Sequence, residues 1–172
     1  MSLDTPALLA YYESLLSLLQ RLSQTKNGAI CVLNSGLFQA VHESRLFAAD
    51  PDIGIGQEIL PSLMIDTLLT LSDIDNPDAL QRYYDLLLST IRLIVHAVFS
   101  RGIENEQIKA QTRGFLVENR PCMAGIFKRS AKIGGNTAHE DSLCELVKAF
   151  IALIAATDFM EVCDIVALFY SD

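Results

Sequence analysis

The stretch from Asn76 to Gly102, NPDALQRYYDLLLSTIRLIVHAVFSRG, constrains this chain more than any other. Asn76 is suited to cap a helix, Pro77 to occupy its first turn, and Gly102 to stop its C-terminus. Between them run about seven helical turns with no interior glycine or proline. Polar side chains fall three or four residues apart on one narrow line: Asp78, Arg82, Asp85, Ser89, Arg92, His96 and Ser100. The remainder is largely apolar, including Leu80, Tyr84, Leu87, Leu88, Ile91, Ile94, Val95, Val98 and Phe99. A helix wetted along so thin a stripe is buried on several sides, so other helices must pack around it.

Hydrophobic residues make up 51% of the chain, and its mean hydropathy is positive, which is high for a water-soluble domain. No apolar run approaches the ~18–20 residues of a membrane span, the longest lying around Ala149 to Ala156. The N-terminus has Asp4 and no basic region before its apolar residues, unlike a signal peptide. The excess is explained if residues 1–172 form a single α-helical fragment of a longer polypeptide, whose end faces meet neighbouring segments. Met1 to Leu3 are read as vector-derived. A net charge of −8 argues against nucleic acid or anionic lipid as the main partner. The cysteines Cys31, Cys122, Cys144 and Cys163 are far apart and set among apolar residues. They read as small hydrophobes in a reducing compartment, cytosol or nucleus.

Along the chain, a first helix is expected from about Pro6 to Gln24 with Thr5 as cap. Its core stripe would be Leu8, Tyr12, Leu15, Leu19 and Leu22, and Lys26-Asn27-Gly28 would end it. Short helices over Ala29–Leu33 and Leu37–His42 flank Asn34-Ser35-Gly36. Ser44 to Gln57, with Asp50-Pro51-Asp52 and Gly54-Ile55-Gly56, reads as an exposed loop. Helices follow over Glu58–Leu71, 76–102, Asn105–Glu118 and Pro121–Lys132. Thr137-Ala138-His139-Glu140 reads as a capping box for a helix to Thr157, with Leu143, Leu146, Val147, Phe150, Ile151 and Ile154 inward. Asp158 to Glu161 opens a last helix, apolar on most sides. Nothing reads as a strand. Irregular helices joined by short turns predict an all-α fold, an α-solenoid rather than a closed four-helix bundle.

Chemical motifs are weak. Gly54-Ile55-Gly56 lacks the third glycine of a dinucleotide fingerprint and follows no strand. Asp50-Pro51-Asp52 would put Gly54 and Pro61 where a calcium loop needs oxygen ligands, and Asp73 and Asp75 fail likewise with Tyr84. His42, His96 and His139 come singly, and His139 and Cys144 point to different helix faces. No serine or cysteine sits in a nucleophile elbow. The expectation is a protein that is not an enzyme and needs no cofactor or metal.

One charge asymmetry stands out. Lys109, Arg113, Arg120, Lys128, Arg129 and Lys132 lie close together with Glu118 as the one acid among them. From Ile133 onward the balance reverses to Glu140, Asp141, Glu145, Asp158, Glu161, Asp164 and Asp172 against Lys148. The first reading is two solvated faces attracting each other across the stack, each pair adding little. The second is a basic ridge for an acidic partner segment.

The segments AYYESLLSLLQRLSQTKNGAICVLNSGLFQAVHESRLFAADPDIG and RYYDLLLSTIRLIVHAVFSRGIENEQIKAQTRGFLVENR, in this order and spacing, resemble the C-terminal half of the large inner-ring scaffold nucleoporins. These are the family of nucleoporin 192 of fungi and nucleoporin 205 of vertebrates, and the resemblance runs from Leu8 to Lys132. It implies a right-handed superhelix of armadillo- and HEAT-like repeats that packs on neighbouring repeats of its own chain. It also implies residence in the nuclear pore complex at the nuclear envelope and a structural part in nucleocytoplasmic transport. The implied partners are other nucleoporins, through helical segments such as the Nic96/nucleoporin 93 linker, with no nucleic acid and no membrane insertion. The alternative is an importin-β-like soluble transport receptor or another armadillo/HEAT adaptor, which shares the architecture.

Overall fold

The computed structural model describes residues 5–48, 77–132 and 138–158. Every element among them is helical: α1 (Thr5–Ser23), α2 (Lys26–Asn34), α3 (Leu37–Ser44), a 3-10 turn (Leu46–Ala48), α4 (Pro77–Arg101), α5 (Glu106–Glu118), α6 (Arg120–Lys132) and α7 (Ala138–Ala156). The all-α expectation therefore holds over the described residues. The expected helix over 58–71, the motifs at 50–56 and the last helix beyond Asp158 lie outside them.

Helix α4 is the piece around which the rest is arranged, with α1, α2 and α7 all packing against it. Tyr84, Leu87, Ile91, Leu93, Ile94, Ala97 and Val98 are essentially buried, while Arg82, Asp85 and Arg92 stay exposed along the expected polar line. Phe99 is the exception at 46% exposure. Positive φ at Gly102 (104°) stops the helix, a conformation glycine adopts at little cost.

The first three helices are tightly jointed. Thr25 caps α2, its Oγ1 accepting from Gly28 N at 3.1 Å. Lys26-Asn27-Gly28 is thus the first turn of α2, not the end of the first helix as the sequence suggests. A Cβ on Gly28 would stand 2.0 Å from the Leu22 carbonyl oxygen, so the α1–α2 corner closes only around glycine. Leu22 itself is 47% exposed, and the inward face of α1 carries Leu16, Leu19 and the buried Ser23 instead of the expected Leu22. Arg45 adopts φ 51° at the end of α3 and turns the chain so that Leu46 and Phe47 are buried. The expected exposed loop therefore begins with core residues.

A line of edge-on and tilted aromatic contacts ties the second half to the first. Phe115 meets Phe38 at 6.0 Å and Phe47 at 5.3 Å, and Phe150 meets Phe47 at 6.2 Å and Phe127 at 6.4 Å between ring centres. Such geometries place a positive ring edge against a negative face. Through them α3, the 3-10 turn, α5, α6 and α7 share one core. Within α7, Leu143, Leu146, Phe150 and Leu153 point inward, whereas Ile151 is 51% exposed, contrary to its expected placement. No described helix is long and apolar enough to cross a membrane.

Candidate functional site

Among the basic residues singled out in the sequence, Arg113, Lys109 and Arg129 are engaged within the fold. Arg113 donates through Nε and Nη2 to the Thr157 carbonyl oxygen at 2.9 and 2.6 Å, closing the C-terminus of α7. Lys109, on the same face of α5 one turn earlier, lies 3.4 Å from Glu106 and 3.7 Å from Asp158. Arg129 donates from Nη1 to the Tyr84 hydroxyl at 2.9 Å and from Nε to the Gly125 carbonyl at 3.3 Å, fastening α6 to α4. Only Arg120 and Lys128 are exposed and without an ion pair among the described residues. Lys132 closes α6, and its side chain lies outside the described set. Attraction between the basic stretch and the later acids is seen at Lys109 and Asp158, while Glu145 turns elsewhere.

Glu145 belongs to a polar line between α4 and α7. Its carboxylate lies 2.8 Å from Lys148 and 3.3 Å from Arg92. The hydrogen bond from Lys148, with Coulombic attraction to it and a contribution from Arg92, holds the Glu145 carboxyl below its ordinary value. The same hydrogen bond is the largest influence raising Lys148. Further along, Asp85 Oδ1 accepts from Gln81 Nε2 at 2.7 Å and from the mostly buried Ser142 hydroxyl at 2.8 Å. These contacts fix how α7 lies on α4.

His42 Nδ1 and Glu118 Oε2 approach to 3.1 Å across α3 and α5, both well exposed. Among the described residues no group of three His, Cys, Asp or Glu side chains converges as a metal site. Cys31 and Cys144 are exposed and not the buried hydrophobes expected, while Cys122 is half-buried.

The concavity that sequence reasoning missed lies where α4 gives way to α5 beside the start of α2. A cleft of about 600 Å³ is lined by Lys26, Phe99, Arg101, Gly102, Ile103, Glu104 and Asn105. Phe99 and Ile103 are 46% and 41% exposed. Asn105 caps α5, its Oδ1 accepting from Ile108 N at 3.0 Å, so the positive N-terminal ends of α2 and α5 border the cleft together with the negative C-terminal end of α4. The only signal in the sequence was the pair of apolar residues either side of Gly102.

Comparisons with known proteins agree with the resemblance. The family model for nuclear pore complex scaffold nucleoporins 186/192/205 matches residues 2–157. Nucleoporin NUP192 of Chaetomium thermophilum is 32% identical over 178 aligned positions, which cover 88% of this chain and 9% of that protein.

Proposed function

The chain belongs to the nuclear pore complex scaffold family of nucleoporins 186/192/205, and from that membership we propose that it is a structural segment of the pore's inner ring at the nuclear envelope. The observation that carries this is the family match over residues 2–157, which takes in every helix from α1 to α7. It supports the scaffold reading over the transport-receptor one. The segment acts by packing, holding neighbouring parts of a long chain at a set geometry, and it supports nucleocytoplasmic transport through protein–protein contacts. Its helices are read as armadillo- or HEAT-like units of a right-handed solenoid. The short joints support this: only Asn119 separates α5 from α6, and two residues separate α1 from α2 and α2 from α3.

Partners are other nucleoporins, with helical linkers of the Nic96/nucleoporin 93 type as the specific class. An amphipathic helix can lay an apolar face at i, i+3, i+4, i+7 into a groove between packed helices. Within the basic set, Arg120 and Lys128 are the residues whose charge faces solvent and could meet an acidic partner.

The test uses the full-length protein that contains this segment, fluorescently tagged in cells. Ile94, fully buried in α4, is replaced by aspartate to break the segment's core. The unaltered protein is expected at the nuclear rim, and Ile94→Asp is expected to lose rim signal and co-purifying inner-ring nucleoporins. Normal rim assembly and transport with Ile94→Asp would overturn the scaffold role of the segment.

A further inference from the structure

We propose that the cleft between the end of α4, the Gly102 turn and the first turn of α2 is a docking site for a short acidic, amphipathic peptide segment of another protein. This deepens the scaffold reading by naming the chemistry of one partner. The lining offers two large apolar side chains, Phe99 and Ile103, that are nearly half exposed. Lys26 and Arg101 also line it, and neither has an ion-pair or side-chain hydrogen-bond partner among the described residues. Glu104 is the single acid in the lining. The lining therefore carries two cations against one acid on a chain whose net charge is −8.

Charge complementarity commits the occupant. A cationic peptide would be repelled by Lys26 and Arg101. A purely apolar one would leave both cations bordering dry surface without compensation. A segment carrying a Leu or Phe flanked by Asp or Glu satisfies both: the apolar side chain covers Phe99 and Ile103, and the carboxylate lies between Lys26 and Arg101. The cleft's volume of about 600 Å³ accommodates one or two such side chains, not a folded domain.

The probes are two labelled synthetic peptides sharing a Leu/Phe face at i, i+3, i+4 and i+7, with either glutamate or lysine at the remaining positions. Binding to the full-length protein that contains this segment is followed by fluorescence anisotropy, and the contacted residues are mapped by photo-crosslinking from the peptide. The glutamate peptide is expected to bind at low salt, crosslink at or beside Lys26, Phe99, Ile103 and Glu104, and exceed the lysine peptide by about tenfold or more. Lys26→Glu places an acid in the first turn of α2, where the helix tolerates it, and together with Arg101→Gln it should remove that preference. Ile103→Asp lies in the turn outside both helices and should weaken both peptides. Absence of binding, crosslinks mapping only elsewhere, or a preference unchanged by Lys26→Glu/Arg101→Gln would overturn the proposal. So would a dimer in sedimentation velocity that Ile103→Asp converts to monomer, because a second copy would then be the occupant. None of these readouts depends on pore assembly, so failure here leaves the Ile94→Asp result to decide the scaffold reading separately.

Discussion

The guanidinium of Arg113 grips the carbonyl oxygen of Thr157 with two donors, at 2.9 and 2.6 Å. Thr157 is fully buried, and its own N–H and hydroxyl are turned back onto α7 through Leu153 and Ile154. Its carbonyl is one of the helix-end acceptors that α7 cannot satisfy internally. A positive group at that end also complements the helix dipole. Arg113→Ala should therefore lower stability by about 1.5–3 kcal/mol, because a buried acceptor loses a charged donor. Arg113→Lys should recover part of the loss, since an ammonium lacks the planar fork. Urea denaturation midpoints at constant m-value check both.

Phe150 links two halves of the core, and nothing fills its place if it is removed. It is fully buried and contacts Phe47 and Phe127 nearly perpendicularly, at 81° and 84°. Phe150→Ala should cost about 3–5 kcal/mol, a large part of the stability of a domain this size. Phe150→Leu should cost clearly less. Chemical denaturation followed by far-UV circular dichroism separates the two.

Two glycines that look alike in sequence should respond in opposite directions. Gly114 lies in α5 with open space where a Cβ would go, so Gly114→Ala should stabilise by about 0.5–1 kcal/mol. Gly28 lies in the first turn of α2 against the backbone of Leu22, where a Cβ would come within 2.0 Å of a carbonyl oxygen that cannot simply rotate away. Gly28→Ala should destabilise and open the α1–α2 corner. Thermal melts of the two variants should move to opposite sides of the parent.

The contrast shows what the sequence could and could not tell. Helix α4 was legible because a cap, a stop and a single polar line agree on its ends and phase. In α1 the apolar residues cover too much of the circumference to fix a phase, so Leu22 was expected inside while Ser23 is the buried one. Ser23 is accommodated because its hydroxyl donates to the Leu19 carbonyl at 2.8 Å, a local bond that hydrophobicity does not register. The Lys26-Asn27-Gly28 run looked like a terminator, yet its glycine serves a backbone contact with the preceding helix. The cleft was hidden for a similar reason: Lys26 and Arg101 are brought together only by the packing of α2 on α4.

The pair of Glu145 and Lys148 sets a pH dependence whose sign is fixed. Glu145 titrates below its ordinary value, so its contribution is present above the unfolded carboxylate range and is lost as pH falls through the lower folded value. Lys148 titrates above its ordinary value, so its contribution is present below that value and is lost only as pH rises through the higher folded one. Stability from this pair should be level in between. Glu145→Gln should flatten the acid limb of the midpoint-versus-pH curve, and the difference should vanish near 1 M salt, where the screening length is about 3 Å. Both groups are well exposed, so the effect on the curve is small.

Cations of equal charge should separate by where they are anchored. Arg129 is tied by its guanidinium to Tyr84 and to the Gly125 carbonyl, so Arg129→Glu removes the donors to the Tyr84 hydroxyl on α4 and the Gly125 carbonyl on α6 and introduces an acid beside a buried ring. Arg120 and Lys128 are exposed, and reversing them to glutamate should leave stability within about 0.5 kcal/mol. If the basic stretch meets an acidic nucleoporin segment, Arg120→Glu/Lys128→Glu should weaken that capture and make it less salt-dependent without moving the denaturation midpoint. Arg129→Glu would lower the midpoint first and capture only as a consequence. Measuring capture of inner-ring nucleoporins alongside urea midpoints distinguishes the two. Unchanged capture of every natural partner by Arg120→Glu/Lys128→Glu would show that these charges only solvate the outer faces of α6.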